Sequence, residues 1–216
     1  MNFVLGGTHG LGQQIAKAFQ QQGEQTFVVG RTYDEATHGA GTAVDLSNGQ
    51  DFKKLIEQID KTDFNRFFWV AGYGYNGDFS EQVDPHKMAL VNFANAVPVA
   101  QAVWKKLANK TEPTNFVIVS STTGEKARAD EAVYASTKHA QVGFARSLGL
   151  ESERLGLPIR VALFMPGGMQ TPFWDAQRPE SYDTFLDPAK VSVRIVERVI
   201  EQQTPFYEET IPKDSL

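Results

Sequence analysis

Leu5-Gly6-Gly7-Thr8-His9-Gly10-Leu11-Gly12-Gln13, running on into Gln14-Ile15-Ala16-Lys17-Ala18-Phe19, is the stretch that decides the fold. Phe3, Val4 and Leu5 precede it as a short apolar run and an amphipathic pattern follows, so the glycines join a strand to a helix. In such a turn Gly6 permits a tight reversal, Gly10 lets backbone approach a phosphate, and Gly12 lets the helix pack on the strand. The helix N-terminus then faces a pyrophosphate, and Thr8, His9 and Leu11 belong to the same cofactor-binding turn. Gly7 and Gly12 also mimic the spacing of a nucleoside-triphosphate loop, but Gln13-Gln14 replace the Lys and Ser/Thr that its phosphates and magnesium need. The turn predicts a dinucleotide site.

Outward from the turn, apolar runs recur at 3–5, 26–30, 42–44, 67–71, 116–120, 159–165 and, weakly, 206–211. Amphipathic stretches at 11–22, 51–61, 85–109, 131–155 and 188–203 alternate with them. Near-continuous apolar strands are covered on both faces, and strand–helix alternation builds a parallel sheet. The expected class is α/β: a doubly wound parallel sheet of about seven strands with helices on both faces, the Rossmann arrangement. Pro98 predicts a kink or a division in the third helical stretch. Residues 1–216 are expected to form a single dinucleotide-binding domain. The aperiodic stretches 72–84 and 167–187 are long for loops, and the second is the expected small substrate loop.

Composition agrees with that class. The chain has 216 residues, a net charge of −5, 41% hydrophobic and 22% charged residues, and no Cys. Disulfide scaffolds and Cys-based zinc sites are excluded. The four His are scattered, so no metal site is expected. No apolar run approaches the ~20 residues of a membrane span, and no basic leader precedes Phe3. An acidic chain without a Lys/Arg stripe is a poor nucleic-acid binder. A soluble cytoplasmic protein with neither a membrane nor a nucleic-acid partner is expected.

The second run ends Val28-Val29-Gly30-Arg31-Thr32. In a dinucleotide fold an acidic side chain here binds the ribose 2′-hydroxyl, whereas a nearby Arg accepts a 2′-phosphate. Gly30 brings no carboxylate and Arg31 offers a planar donor fork, which predicts NADP, with NADPH preferred over NADH. The bland alternative is a solvated surface Arg. His9 could add a second contact.

Tyr134-Ala135-Ser136-Thr137-Lys138 places Tyr134 and Lys138 on one helix face. Asn115-Phe116-Val117-Ile118-Val119-Ser120-Ser121 should deliver Ser121 to the sheet edge that holds the glycine turn. With these residues in place, the chain resembles the short-chain dehydrogenase/reductase family from Phe3 to about Thr171. Gly6, Gly10 and Gly12 match its glycine motif, and Ser121, Tyr134 and Lys138 match its catalytic set. Leu90-Val91-Asn92-Phe93-Ala94-Asn95 is similar to the helix carrying its fourth catalytic residue, which falls on Asn92. The resemblance places Asp45 and Leu46 at the adenine, Ala71 and Gly72 along the cofactor, and Pro166, Gly167 and Thr171 at the nicotinamide carboxamide. It gives Lys138 a second role on the nicotinamide ribose and has Asn92 hold a water linking Lys138 to solvent. Two departures stand out. Trp69-Val70-Ala71-Gly72 replaces the usual Asn-Asn-Ala-Gly, so local bracing must come from elsewhere, and Leu5 replaces a Thr before the first glycine.

This set suits reduction of a carbonyl, or oxidation of a secondary alcohol, with Tyr134 as general acid or base and Ser121 on the carbonyl oxygen. A Lys138 ammonium about 4 Å from the phenol would be worth roughly 4 kcal/mol at an effective dielectric of about 20. Tyr73, Tyr75, Phe79, Phe173, Trp174, Tyr182 and Phe185 could line a pocket for a small-molecule carbonyl or alcohol; they could equally be loop packing or a subunit contact. The 131–155 helix is a candidate surface for a homodimer or homotetramer. Two other readings remain: a catalytically silent NADP-binding regulator or partner protein, and an epimerase or dehydratase on the same scaffold.

Overall fold

Seven strands form one sheet in the computed structural model, which describes residues 1–175, 177–213 and 215. They are β1 (Asn2–Leu5), β2 (Thr26–Gly30), β3 (Gly41–Ala43), β4 (Arg66–Trp69), β5 (Thr114–Val119), β6 (Ile159–Pro166) and β7 (Phe206–Ile211). All pairs are parallel, in the order β3-β2-β1-β4-β5-β6-β7. The chain therefore winds outward from β1 to β3 and returns to β4 on the other side of β1. That reversal opens a crevice at the carboxyl ends of β1 and β4, the place where such sheets take ligands.

Alternation along each strand explains why the runs read as continuously apolar. Phe3, Leu5, Phe67, Trp69, Phe116 and Ile118 enter one layer, and Val4, Phe68, Val117 and Val119 enter the other. The first layer is closed by α3 (Gly49–Lys61), α5 (Ala96–Ala108) and α6 (Ala132–Leu155), through Leu55, Ile59, Val103, Leu107 and Val142. The second is closed by α1 (Gly10–Gln21) and α7 (Pro188–Glu201), through Leu11, Ile15, Phe19, Ile195 and Val199.

Two details differ from the sequence reading. Short α2 (Glu35–His38) has no periodic signal; Asp34 caps it by accepting from the Thr37 N–H at 2.9 Å. The 85–109 stretch divides, but ahead of Pro98: α4 (Pro85–Ala89) passes through a π-helical turn, Leu90–Ala94, into α5. Pro98 then sits in the first turn of α5, where a missing N–H costs no helical hydrogen bond.

Trp69 accounts for the replaced Asn-Asn pair. It is fully buried, stacked on Phe93 at 6.2 Å and edge-on to Phe144 at 6.1 Å, so aromatic packing braces the end of β4. Among the described residues its indole N–H has no partner, an omission of about 1–3 kcal/mol that the buried ring offsets.

Candidate active site

The glycine turn is built by close backbone approach. Gly6 has φ +91°, and a Cβ there would lie 2.4 Å from the Ala71 nitrogen. A Cβ on Gly12 would meet the Gly6 carbonyl oxygen at 2.1 Å, so the start of α1 lies directly on the end of β1. His9, the N-cap, makes no side-chain cap and the first turn carries no acidic residue, which leaves the amides of Gly10, Leu11 and Gly12 to an anion. Thr171 packs against Gly10, where a Cβ would stand 3.3 Å from the Thr171 Cβ. Pro166 closes β6, and the Gly167 N–H donates to the Ile211 carbonyl at 2.9 Å. These residues fit a dinucleotide: open donors at one end, and Ala71 and Gly72 with little or no side chain along the floor.

Beyond the turn, Gly30 has a steric role as well as lacking a carboxylate. A Cβ there would lie 2.5 Å from Thr8 Oγ1, and Thr8 is buried. The Thr32 hydroxyl lies 3.3 Å from Thr8 Oγ1 and 3.1 Å from Nδ1 of His9, which is exposed on the turn. His38, which the sequence reading passed over, is buried and ties α2 to the Thr8 carbonyl through Nε2 at 3.1 Å. Arg31 is exposed beside them. Asp45 accepts from the Ser47 N–H and hydroxyl; these bonds hold its carboxyl below the usual range, with Lys87 and Arg31 adding to the effect. The Leu46 carbonyl accepts from Asn95 Nδ2 at 2.7 Å.

Asn92 and Lys138 meet at Gly72, with Tyr134 beside Lys138 and Ser121 beside Tyr134. A Cβ at Gly72 would stand 3.2 Å from Asn92 Oδ1 and 3.7 Å from Lys138 Nζ. The π-helical turn aims the Asn92 amide at the loop after β4, where it accepts from the Tyr73 N–H at 3.0 Å and donates to the Tyr73 carbonyl at 2.8 Å. It also donates to Thr137 Oγ1 at 3.1 Å, linking that loop to α6. Ser121 caps a 3-10 turn (Thr122–Gly124), accepting from the Thr123 N–H at 3.1 Å.

Electrostatics depart from the sequence reading. Lys138 is only 4% exposed, and burial pushes its amine down to about 7. Its Nζ lies 5.7 Å from the Tyr134 ring centroid and donates to the Val119 carbonyl at 3.2 Å and to Gln141 Oε1 at 2.9 Å. Burial also pushes the Tyr134 phenol up; Ser121 draws it down, Glu131 adds to the rise, and Arg128 opposes it. Burial thus works against both the ammonium and the phenolate, because both groups have lost water.

A side chain absent from the sequence reading joins Asn92 to Lys138. Gln141, fully buried, donates from Nε2 to the Asn92 carbonyl at 2.9 Å while its Oε1 accepts from Lys138. A side-chain amide bridges the two groups. Its signal was the i, i+3 spacing from Lys138 on a helix face.

The loop 167–187 closes over this site. Phe173 stands edge-on to Tyr134 at 5.6 Å and fills the space that a side chain at Gly74 would need. Trp174 touches Phe173 at 5.0 Å and Phe185 at 5.3 Å. Gly74, Tyr75, Asn76, Glu131, Tyr134, Phe173, Trp174 and Gln177 line a cavity of about 30 Å³. Tyr182 packs on Phe185 at 5.9 Å, and Phe79 is exposed, away from the aromatic group. Among the described residues, no three His, Cys, Asp or Glu cluster to hold a metal, and no helix is long and apolar enough to cross a membrane.

The chain is similar to known proteins. Bovine 3-oxoacyl-[acyl-carrier-protein] reductase is 27% identical over 180 residues, 78% of this chain and 75% of its own length. A 4-hydroxyisoleucine dehydrogenase solved with NADH superposes with a TM-score of 0.82 at 21% identity, covering 98% of this chain and 96% of the other. The closed form of a serine dehydrogenase with NADP+ gives 0.84 at 20% identity, covering 98% and 93%. These two share the fold, and one was solved with each nicotinamide dinucleotide. The short chain dehydrogenase family matches residues 1–181, so the chain belongs to the short-chain dehydrogenase/reductase family and is a nucleotide-binding, hydride-transferring oxidoreductase.

Proposed function

We propose that this chain reduces small-molecule carbonyls with NADPH, and oxidises the corresponding secondary alcohols, with Tyr134 exchanging the proton. The grouping of Asn92 and Lys138 at Gly72, with Tyr134 beside Lys138 and Ser121 beside Tyr134, carries the reading. When bound, the dinucleotide supplies or accepts the hydride. Gly6, Gly10 and Gly12 would hold its pyrophosphate against α1, and Ala71, Gly72, Pro166, Gly167 and Thr171 would flank the nicotinamide half. Ser121 donates to the carbonyl oxygen, and the Tyr134 hydroxyl delivers its proton there as the alkoxide develops. Lys138, when protonated, favours the phenolate left behind, and Asn92 anchors the loop after β4. A panel of ketones and aldehydes with NADPH and NADH, followed at the reduced-nicotinamide absorbance, tests this. Failure to oxidise either cofactor with any compound sinks it.

NADPH should bind more tightly than NADH, because exposed Arg31, with Thr32 beside it, would offer donors to a 2′-phosphate and no carboxylate at Gly30 would repel it. A charge-assisted hydrogen bond of about 1.5–3 kcal/mol is worth roughly ten- to a hundredfold in affinity. Arg31→Asp should erase or reverse the preference, measured by calorimetric titration of both cofactors. An undiminished preference in folded variant protein would place the phosphate site elsewhere.

Gln141 is a positioning residue in this scheme. Its carbonyl favours the charged Lys138, so Gln141→Leu should move the alkaline limb of the kcat profile down by about one to two pH units. Gln141→Glu should move it up. A mere packing role would change the maximum and leave both limbs in place.

A further inference from the structure

We propose that Glu131 makes this cleft selective for substrates bearing an ammonium group near the carbonyl or carbinol carbon, an inference that rests on the reductase reading above. Among the described residues Glu131 is the one charged residue lining the cavity beside Tyr134, together with the aromatic residues Tyr75, Phe173 and Trp174. One of its oxygens, Oε2, accepts from Thr123 Oγ1 at 3.1 Å. No Lys, Arg or His pairs with it among the described residues. The other polar liners are neutral: the Asn76 N–H donates to Gln177 Oε1 at 2.9 Å. Arg128 is exposed, and its Nη2 reaches the Thr122 hydroxyl at 3.4 Å.

A carboxylate held among aromatic faces is the composition that receives an ammonium ion, through charge pairing and cation–π attraction together. Position sets the spacing. Glu131 is the N-cap of α6, three residues before Tyr134, and both line the same small cavity. An ammonium resting on Glu131 therefore stands close to a carbonyl whose oxygen meets the Tyr134 hydroxyl. The charge also has a cost without a cation. A bare carboxylate beside Tyr134 opposes formation of the phenolate, and a substrate cation cancels that opposition. Anionic substrates meet the same carboxylate and are repelled. The fitting class is α-amino ketones and 1,2-amino alcohols.

Two measurements test this. With parent protein, kcat/KM for aminoacetone should exceed that for butanone, its uncharged counterpart in shape. Glu131→Gln, which retains an acceptor for Thr123, should lower that ratio by about ten- to a hundredfold. An unchanged ratio would overturn the proposal. Binding is read separately, by calorimetry on protein saturated with reduced cofactor, using isobutylammonium chloride and the uncharged amide isobutyramide. The ammonium should bind more tightly to the parent and lose that advantage in Glu131→Gln; equal binding to the parent overturns the proposal whatever the turnover. If the ammonium preference appears but no carbonyl is reduced, the site stands and the reductase reading falls.

Discussion

Replacing Tyr134 with Phe is expected to cut turnover by about 10²–10⁴-fold, the contribution typical of a general acid. Little else should change. The phenyl ring keeps the edge-on contact to Phe173 at 5.6 Å and the face that Lys138 Nζ overlies at 5.7 Å. Cofactor affinity and thermal midpoint should therefore remain close to the parent's, and only the exchangeable proton is lost. Direction matters as well. With its phenol pushed up by burial and by Glu131, Tyr134 is protonated at neutral pH and stands ready to donate. Reduction should accordingly run well near pH 7, while alcohol oxidation, which needs the phenolate, should accelerate as pH rises. Steady-state rates in both directions, with cofactor titrations on the same preparations, check this. A variant retaining more than about a tenth of the parent rate would mean that the proton comes from another group.

Much of the fold was legible because the sheet is covered on both sides. Phe3 and Val4 enter opposite layers, so both had to be apolar, and the same holds for Phe116 and Val117. The glycines were legible because backbone contact such as Gly12 against the Gly6 carbonyl tolerates no side chain. What escaped depends on partners distant in sequence. Gln141 reads as an ordinary polar helix residue until Asn92 is brought against it. The π-helical turn at Leu90–Ala94 has no signal of its own in the sequence; Pro98 alone pointed to a division of that stretch. His38 sits in a four-residue helix too short to show a period. Electrostatics were least legible. Spacing puts Lys138 on the face of Tyr134 but cannot reveal that it is 4% exposed, and burial, rather than distance alone, decides its charge.

Removing that amine with Lys138→Met should collapse turnover together with cofactor affinity, and should also leave a signature independent of catalysis. Burial holds the Lys138 amine at about 7, well below its ordinary value of 10.5. The unfolded chain therefore carries a proton between those two values that the folded chain does not. In that window stability rises with pH, at up to about 1.4 kcal/mol per pH unit, and the full penalty for the buried charge applies below about pH 7. Lys138→Met should flatten this slope between roughly pH 7 and 10, read from denaturant unfolding at several pH values. Loss of the amine leaves Gln141 Oε1 and the Val119 carbonyl without their donor, a cost of about 1–3 kcal/mol each, so the absolute stability near pH 7 changes less than the slope. Binding of the anionic cofactor draws the amine back toward its charged form, so the parent should take up a fraction of a proton near pH 8. Calorimetry in buffers of different ionisation enthalpy measures that uptake directly, and the variant should lack it. Equal proton uptake by both proteins would assign the proton to another group and remove Lys138 from its role as the charge beside Tyr134.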